Sequence, residues 1–236
     1  MAGEKTKKGD FVEIEFIGKD ISNNEIFDTN IKEEAKKINP EAESKPLIVC
    51  IGQEMVVKGL DESLEGKEPD KKYDVRINPE KGFGKRQPNL VRLMPLKAFA
   101  SQKVYPQPGM TFALDNNLVK IVSVSGGRVM VDFNNPLAGK DIEYEFSIKK
   151  ILSDIREKVT ALQNFLFGHV FEFEVDEKSK KIIFSDIKLT PVLNAFKDKF
   201  KEILGYDLEI LAKPEKKEEK KEEAKVQKTE KSEEKK

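Results

Sequence analysis

The sequence predicts an α+β chain: a strand-rich first domain interrupted by a small β-rich unit, then a separate α-β-β-α-β domain and a charged tail. Three observations carry this. Residues 11–17 and 142–148 alternate in the same style, with Val12, Ile14 and Phe16 in one and Ile142, Tyr144, Phe146 and Ile148 in the other. Between them the texture changes, so the β-rich stretch reads as an insertion into the earlier domain. After Ser153 the apolar spacing turns helical, with Ile155, Val159, Leu162 and Leu166 on one stripe.

Each element has its own signal. In the first strand Glu13 and Glu15 oppose the apolar face, as in a half-buried strand. Ser22-Asn23-Asn24 is turn chemistry. Residues 31–44 are polar and read as a loop or a short helix. Residues 47–51 are a short continuous apolar run, consistent with a central strand. Over 53–65, Val56, Val57, Leu60 and Leu64 share one helical stripe and Gly66 is placed to end it. Tyr73, Val75 and Ile77 then alternate with Lys72, Asp74 and Arg76, and residues 78–84 form a loop.

The stretch 90–133 has an apolar start (90–99), a bend at Pro106, Pro108 and Gly109, and strands expected at 110–114, 118–124 and 128–133. Ser125-Gly126-Gly127-Arg128 is a hairpin turn. Residues 134–139 are loop. In the last domain, Gly168 closes the first helix, and 170–175 with 181–189 form a hairpin. Thr190 is the expected N-cap with Pro191 after it, Leu193, Phe196, Phe200 and Leu204 carry a helix to Gly205, and 206–211 is a strand. Ile182, Ile183 and Phe184 put apolar groups on both strand faces. One face packs on the helices; the other calls for a cover, most simply a second copy, giving a homodimer through this domain.

Composition excludes several classes. The chain has 236 residues with 43 basic and 43 acidic groups. Residues 213–236 hold 10 Lys and 8 Glu, which leaves the body at 33 basic against 35 acidic. No long-range basic field exists to hold nucleic acid. The tail cannot build a core and reads as disordered. One cysteine, Cys50, rules out an intrachain disulfide and fits a reducing, cytoplasmic compartment. The N-terminal residues lack the apolar segment of a signal peptide, and no run is long enough to span a membrane. Abundant Lys, Glu and Ile without Trp points toward a thermophile.

Conventional chemistry finds little support. His169 stands alone, without ligand-spaced Cys or His, so no metal or cofactor is expected. Cys50 lies in an apolar strand and reads as core. Gly82-Phe83-Gly84 is too short for a dinucleotide loop. Glu33, Glu34, Glu143 and Glu145 read as solvated faces. The sharper signal is Ile26-Phe27-Asp28-Thr29-Asn30: a turn delivers an aromatic and a carboxylate side by side, ahead of an apolar strand and the Val56-Val57-Leu60 helix. That arrangement suits chemistry by enclosure, with prolyl isomerisation the leading reading.

The segments Phe11-Val12-Glu13-Ile14-Glu15-Phe16-Ile17-Gly18, Ile26-Phe27-Asp28-Thr29-Asn30, Pro46-Leu47-Ile48-Val49-Cys50-Ile51-Gly52 and Val57-Lys58-Gly59-Leu60 resemble successive core motifs of the FKBP-type peptidyl-prolyl isomerases. Gly82-Phe83-Gly84 resembles the start of the family's flap. Phe133-Asn134-Asn135-Pro136-Leu137-Ala138-Gly139 and the insertion before it resemble the SlyD-like subgroup, in which an insert-in-flap chaperone domain interrupts the flap. The resemblance covers about 8–152, and the additional C-terminal domain resembles the long archaeal form. It implies an FKBP-like antiparallel sheet wrapped on a helix. The expected boundaries are 1–85 with 134–152 for the isomerase domain, 86–133 for the insert, 153–212 for the C-terminal domain and 213–236 for the tail.

Carried over by position, the resemblance implies a proline pocket of Phe16, Phe27, Asp28, Leu47, Val49, Val56, Val57, Leu60, Phe83, Leu137 and Tyr144. Phe16 and Phe83 stand where the family usually has tyrosines, and Leu60 where single-domain members have Trp. The pocket is therefore drier and macrolide binding is not expected. The bacterial subgroup's metal-binding tail is missing here. Asp28 either polarises the surroundings of the twisting amide or bonds backbone N–H groups of its own turn. Leu93, Met94, Leu96, Phe99, Val104, Tyr105, Met110 and Phe112 either hold unfolded clients or pack the insert's own core. The expected partners are proline-containing peptides and unfolded or nascent polypeptides. Two other functions stay open: a client-binding chaperone with a weak pocket, and a scaffold whose C-terminal domain recruits a partner.

Overall fold

The computed structural model describes residues 4–41, 44–101, 103–114, 117–185 and 189–211. The expected charged tail lies outside these residues. In chain order the elements are β1 (Phe11–Asp20), β2 (Glu25–Thr29), α1 (Lys32–Ile38), β3 (Leu47–Cys50), α2 (Lys58–Ser63), β4 (Lys72–Ile77), β5 (Val91–Pro95), α3 (Leu96–Ser101), β6 (Thr111–Leu114), β7 (Asn117–Ser125), β8 (Arg128–Asp132), β9 (Ile142–Leu152), α4 (Ile155–Phe167), β10 (Phe173–Asp176), β11 (Lys181–Phe184), α5 (Thr190–Leu204) and β12 (Asp207–Ile210). The chain divides into two compact units, Met1–Phe165 and Leu166–Lys236.

Alternation in β1 and β9 builds the first sheet. The two strands pair antiparallel along their whole length, from Phe11 opposite Leu152 to Asp20 opposite Ile142. The sheet runs β2-β1-β9-β4, with β3 also on β1. Val12, Ile14, Phe16, Tyr144, Phe146 and Ile148 face a core completed by Leu60 and Leu64 of the helical segment. Gly59 sets the helix close to β4, because a Cβ there would lie 2.6 Å from Ile77 Cγ2.

Two expectations are corrected here. The helix begins at Lys58 rather than at 53. The reason is Asp61, only 3% exposed, whose carboxylate accepts the Gly52 N–H at 3.0 Å and the Glu54 N–H at 3.2 Å. Gly52 and Glu54 both take positive φ, so the chain winds around that carboxylate before the helix starts. The run 47–51 is not a central strand either, since among the described residues β3 pairs only with β1. It is apolar on both sides because Val49 enters the core while Ile48 and Met55 line a cleft with Thr160, Ala161 and Phe165 of α4.

The second sheet is β5-β8-β7-β6, around Phe99, Val119, Ile121, Val129 and Val131. The apolar start of this stretch splits into a strand and a short helix, β5 and α3, that the sequence did not separate. Gly126 and Gly127 have φ of 55° and 74°, which the tight β7–β8 hairpin requires.

In the second unit the sheet order is β10-β11-β12, with β11 and β12 parallel across α5. Phe184 and Phe200 are fully buried with their rings edge to face. Gly205, at φ 72°, closes α5. Thr190 is not the cap: Leu189 already has helical φ and ψ, so the helix starts before Thr190 can stand outside it. Only Ile182 and Phe184 of the apolar run point into the core. Ile183, half-buried, is paired with Glu174 and Glu209 on the opposite face. Among the described residues no helix is long and apolar enough to cross a membrane.

Removing the Asp61 carboxylate strands two N–H groups. Asp61→Ala is expected to destabilise the first unit by about 2 kcal/mol in urea unfolding.

Candidate functional site

The site starts from a β-bulge. Gly18 of β1 pairs with Asp28 of β2, but the next pair is Lys19 with Ile26, so Phe27 is an extra residue. In a regular strand Phe27 and Asp28 would face opposite ways. The bulge instead turns the Phe27 ring onto Tyr144 and Phe83 and leaves Asp28 near the Tyr144 hydroxyl. The Ser22-Asn23-Asn24 turn is present, but the bulge sets the two side chains together.

Opposite the extra residue a side chain is missing. A Cβ on Gly18 would lie 2.7 Å from Phe27 Cζ and 2.9 Å from Tyr144 Cε1. Gly18 pairs with Asp28 on one side and Tyr144 on the other, so the two rings close over its bare backbone. Sequence reasoning assigned Gly18 no role. Glycine within an alternating strand was the available signal.

Asn30 was also passed over. Just past β2, its Oδ1 accepts the Phe16 N–H at 2.8 Å and its Nδ2 donates to the Ile14 carbonyl at 2.7 Å. The amide extends the ladder and holds Phe16 in place. Thr29 Oγ1 donates to the Phe16 carbonyl at 2.8 Å.

The aromatic wall follows. Phe16 and Tyr144 have ring centroids 5.7 Å apart at 58°, Phe27 and Tyr144 5.7 Å at 88°, and Phe27 and Phe83 5.7 Å at 86°. Phe83 reaches this position from a tight turn in which Asn78 accepts the Lys81 N–H and the Gly84 N–H donates to the Pro79 carbonyl at 2.7 Å. Leu60 is 1% exposed and forms the floor, with Val56 and Val57 half-buried beside it. Leu47 packs at the margin. Val49 is fully buried and supports the floor from within the core rather than lining a wall. Leu137 is the exception: it sits half-buried in the return loop, its N–H held by Asn135 Oδ1, and is not among the side chains packed on this cluster.

Asp28 stands exposed at the rim by surface area, yet apolar crowding pushes its carboxyl above the ordinary value, against the lowering effect of the Thr29 N–H. Burial, and then the Asp28 charge, push the Tyr144 hydroxyl up, so it stays protonated at any physiological pH. Cys50 is buried, and burial followed by Asp61 pushes its thiol up to about 12. Such a thiol is no nucleophile at neutral pH. His169 is exposed, its ring 5.1 Å from that of Phe171. The arrangement offers an apolar aromatic cluster with polar groups at its edge.

In the insert the eight expected client contacts divide. Leu93, Tyr105 and Met110 are exposed. Met94, Leu96, Val104 and Phe112 are half-buried against the insert's own core, and Phe99, 4% exposed, is part of that core. Phe99 is therefore packing, its ring 6.0 Å from that of Phe112. Leu118 and Val122 on β7 were missed. Both are exposed, and they line a cleft of about 520 Å³ with Arg86, Asn134 and Pro136 among its other walls. Alternation against Val119 and Ile121 was the signal that could have found Leu118.

Residues 2–99 match the family described as FKBP-type peptidyl-prolyl cis-trans isomerase, and residues 92–137 match the one described as FKBP26, IF domain. The chain is 32% identical over 148 residues to the short-type peptidyl-prolyl cis-trans isomerase of Methanocaldococcus jannaschii, covering 61% of this chain and 93% of that protein. It is 30% identical over 131 residues to the FKBP-type peptidyl-prolyl cis-trans isomerase SlyD of Haemophilus influenzae, covering 54% of this chain and 65% of the relative. With SlyD of Aeromonas hydrophila it shares 29% identity over 150 residues, 62% of each. The match thus spans less than two thirds of these two SlyD relatives.

Gly18→Ala is expected to cost about 1–3 kcal/mol by overpacking and to shift the ring resonances of Phe27 and Tyr144. Asp28→Asn tests the rim. A carboxyl with a raised folded pKa disfavours the folded chain while ionised, and that cost fades as pH falls through the folded pKa toward the ordinary value of 3.8. Wild type should therefore be less stable than Asp28→Asn at pH 7 and draw level in acid, read from urea midpoints across the range.

Proposed function

The chain belongs to the FKBP-type peptidyl-prolyl cis-trans isomerase family, and on that premise we propose that the recess of Phe16, Phe27, Val57, Leu60, Phe83 and Tyr144 holds the substrate proline while the insert holds unfolded client chains nearby. The observation that carries the first half is the closure of the Phe27 and Tyr144 rings over the bare Gly18 backbone, with Phe16 and Phe83 packed against them and Leu60 in the same apolar cluster. Rotation about an Xaa–Pro bond faces a barrier of about 18–20 kcal/mol, set by amide resonance. At the barrier top the amide is twisted, its carbonyl less charged and its nitrogen pyramidal. Water favours the planar, more polar ground state. An apolar recess withdraws that preference, so enclosure stabilises the twisted form relative to the flat one. About 5–7 kcal/mol is a reasonable demand, at roughly 1.4 kcal/mol per tenfold in rate.

The remaining polar groups orient the substrate. The Val57 N–H precedes the first turn of α2 and has no acceptor among the described residues, so it is open to a substrate carbonyl. Asp28 and the neutral Tyr144 hydroxyl stand at the rim, where the peptide flanking proline passes. Nothing in this scheme forms or breaks a covalent bond.

The insert supplies the second half. Leu93, Tyr105, Met110, Leu118 and Val122 are exposed apolar groups on one small unit. β5 and β6 are the edges of its sheet, so an extended client can add a strand there while its side chains meet these residues. Holding a client beside the recess raises the local concentration of its prolines.

Phe27→Ala should lower kcat/KM on a proline tetrapeptide by about 10- to 100-fold, read by NMR exchange; unchanged turnover would remove the site assignment. Deleting residues 86–133 should spare the tetrapeptide yet slow catalysed refolding of a protein substrate by about 100-fold. Equal losses on both substrates would contradict the division of labour.

A further inference from the structure

Two chain segments form the neck between the isomerase sheet and the insert, 84–90 outward and 133–140 on return. Three rungs join them. At the base the Gly139 N–H donates to the Gly84 carbonyl at 2.8 Å, and at the top the Phe133 N–H donates to the Leu90 carbonyl at 3.0 Å. The middle rung is a side chain. Asn134 Oδ1 accepts the Gln87 N–H at 2.8 Å and its Nδ2 donates to the Gln87 carbonyl at 3.0 Å. One amide thus takes both main-chain groups of Gln87, as a neighbouring strand would.

Asp132 holds that amide in place. Its Oδ1 accepts the Asn134 N–H at 3.0 Å and Asn134 Nδ2 at 2.7 Å, and its Oδ2 accepts Arg86 Nη2 at 2.5 Å. Asp132 is 8% exposed and Asn134 7%. Burial pushes the Asp132 carboxyl up, but the Asn134 bonds and Arg86 outweigh it and keep the group ionised at neutral pH. On the isomerase side Lys140 Nζ reaches buried Asp20 at 2.6 Å, tying the returning chain to the end of β1. Neither apolar core includes these polar groups. What a satisfied buried network adds at a crossing is one geometry.

We infer that Asn134, braced by Asp132 and Arg86, is a positioning residue that keeps the insert in one attitude relative to the isomerase sheet, so that a client held on the insert reaches the proline recess over a short, stiff connection. This rests on the client-holding reading above. A connection of fixed span gives a higher effective concentration than a loose one.

The test uses the full chain and Asn134→Ala. In wild type, residual dipolar couplings of the insert and the isomerase sheet should fit one alignment frame. In Asn134→Ala they should need two, with tetrapeptide turnover unchanged and catalysed refolding several-fold slower. A crosslink separates coupling from damage. A Cβ at Gly139 would sit 3.4 Å from Arg86 Cβ, close to the spacing of a disulfide. Adding Arg86→Cys and Gly139→Cys to Asn134→Ala should restore one frame and the refolding rate when oxidised and lose both when reduced; strain at Gly139 is common to both forms. Two frames in wild type, one frame in Asn134→Ala, or no rescue on oxidation would overturn the inference. If Asn134→Ala refolds clients at the wild-type rate, the inference also falls. The 86–133 deletion then shows whether client holding falls with it: a slow deletion variant leaves that reading standing, a fast one removes it.

Discussion

One strand carries a residue too many and its neighbour a side chain too few, and the aromatic cluster forms where the two coincide. The bulge at Phe27 sends an aromatic inward where regular pairing would have sent it out. The bare backbone at Gly18 lets that ring meet Tyr144 without collision. Phe83 closes the third side from a turn that is held by its own main chain. Any Cβ at Gly18, or a regular β1–β2 ladder, would disperse the rings while leaving most of the core intact. The rest of the first unit can be read as support: β9 and β4 back the wall, and α2, drawn close by Gly59, supplies the floor.

That geometry bears on why the reaction needs so few reactive groups. Amide rotation is limited by resonance, and resonance responds to the polarity around it. The Phe16 and Phe83 side chains bring no hydroxyl into the recess, and the polar side-chain atoms stay at the rim, on Asp28 and Tyr144. Neither hydroxyl nor carboxylate has to change protonation. The shifts on these two groups report how apolar the surroundings are, since burial is the leading cause in both.

Much of the fold was legible in the sequence wherever one local pattern determined the outcome. Alternation in β1 and β9, Gly126-Gly127 in the hairpin and Gly205 after α5 were readable because each depends on its own residues and their backbone preferences. What escaped depended on distant partners. The start of α2 turned on whether Asp61 would capture the N–H groups of Gly52 and Glu54. The edge position of β3 was hidden because both its faces are apolar, Val49 in the core and Ile48 lining a cleft with Thr160, Ala161 and Phe165 of α4, so the run looks central. In the site, the aromatic and apolar residues could be named by position, but the bulge could not, because register is a property of two strands. Phe99 was left open between client contact and core, and Leu118 was not singled out, for the same reason: apolar composition alone does not say which side of a small sheet a residue faces. Leu137 was placed by motif, and the return loop sets it apart from the cluster.

Asn30 and Asn134 share a device. Each lies where a ladder has run out, and each uses its side-chain amide to take a main-chain N–H and a carbonyl of the opposite segment. One bonds the strand that carries Phe16 and the other bonds Gln87 across the neck, so each supplies pairing where the regular sheet has ended. The central claim, that the aromatic recess accelerates amide rotation by enclosing proline, is tested most directly by NMR on an Ala-Xaa-Pro peptide mixed with the full chain. The account predicts accelerated cis/trans exchange together with intermolecular NOEs from the proline ring protons to Phe27, Phe83 and Tyr144. Accelerated exchange with the proline ring in contact elsewhere, or contact with these rings and no acceleration, would contradict it.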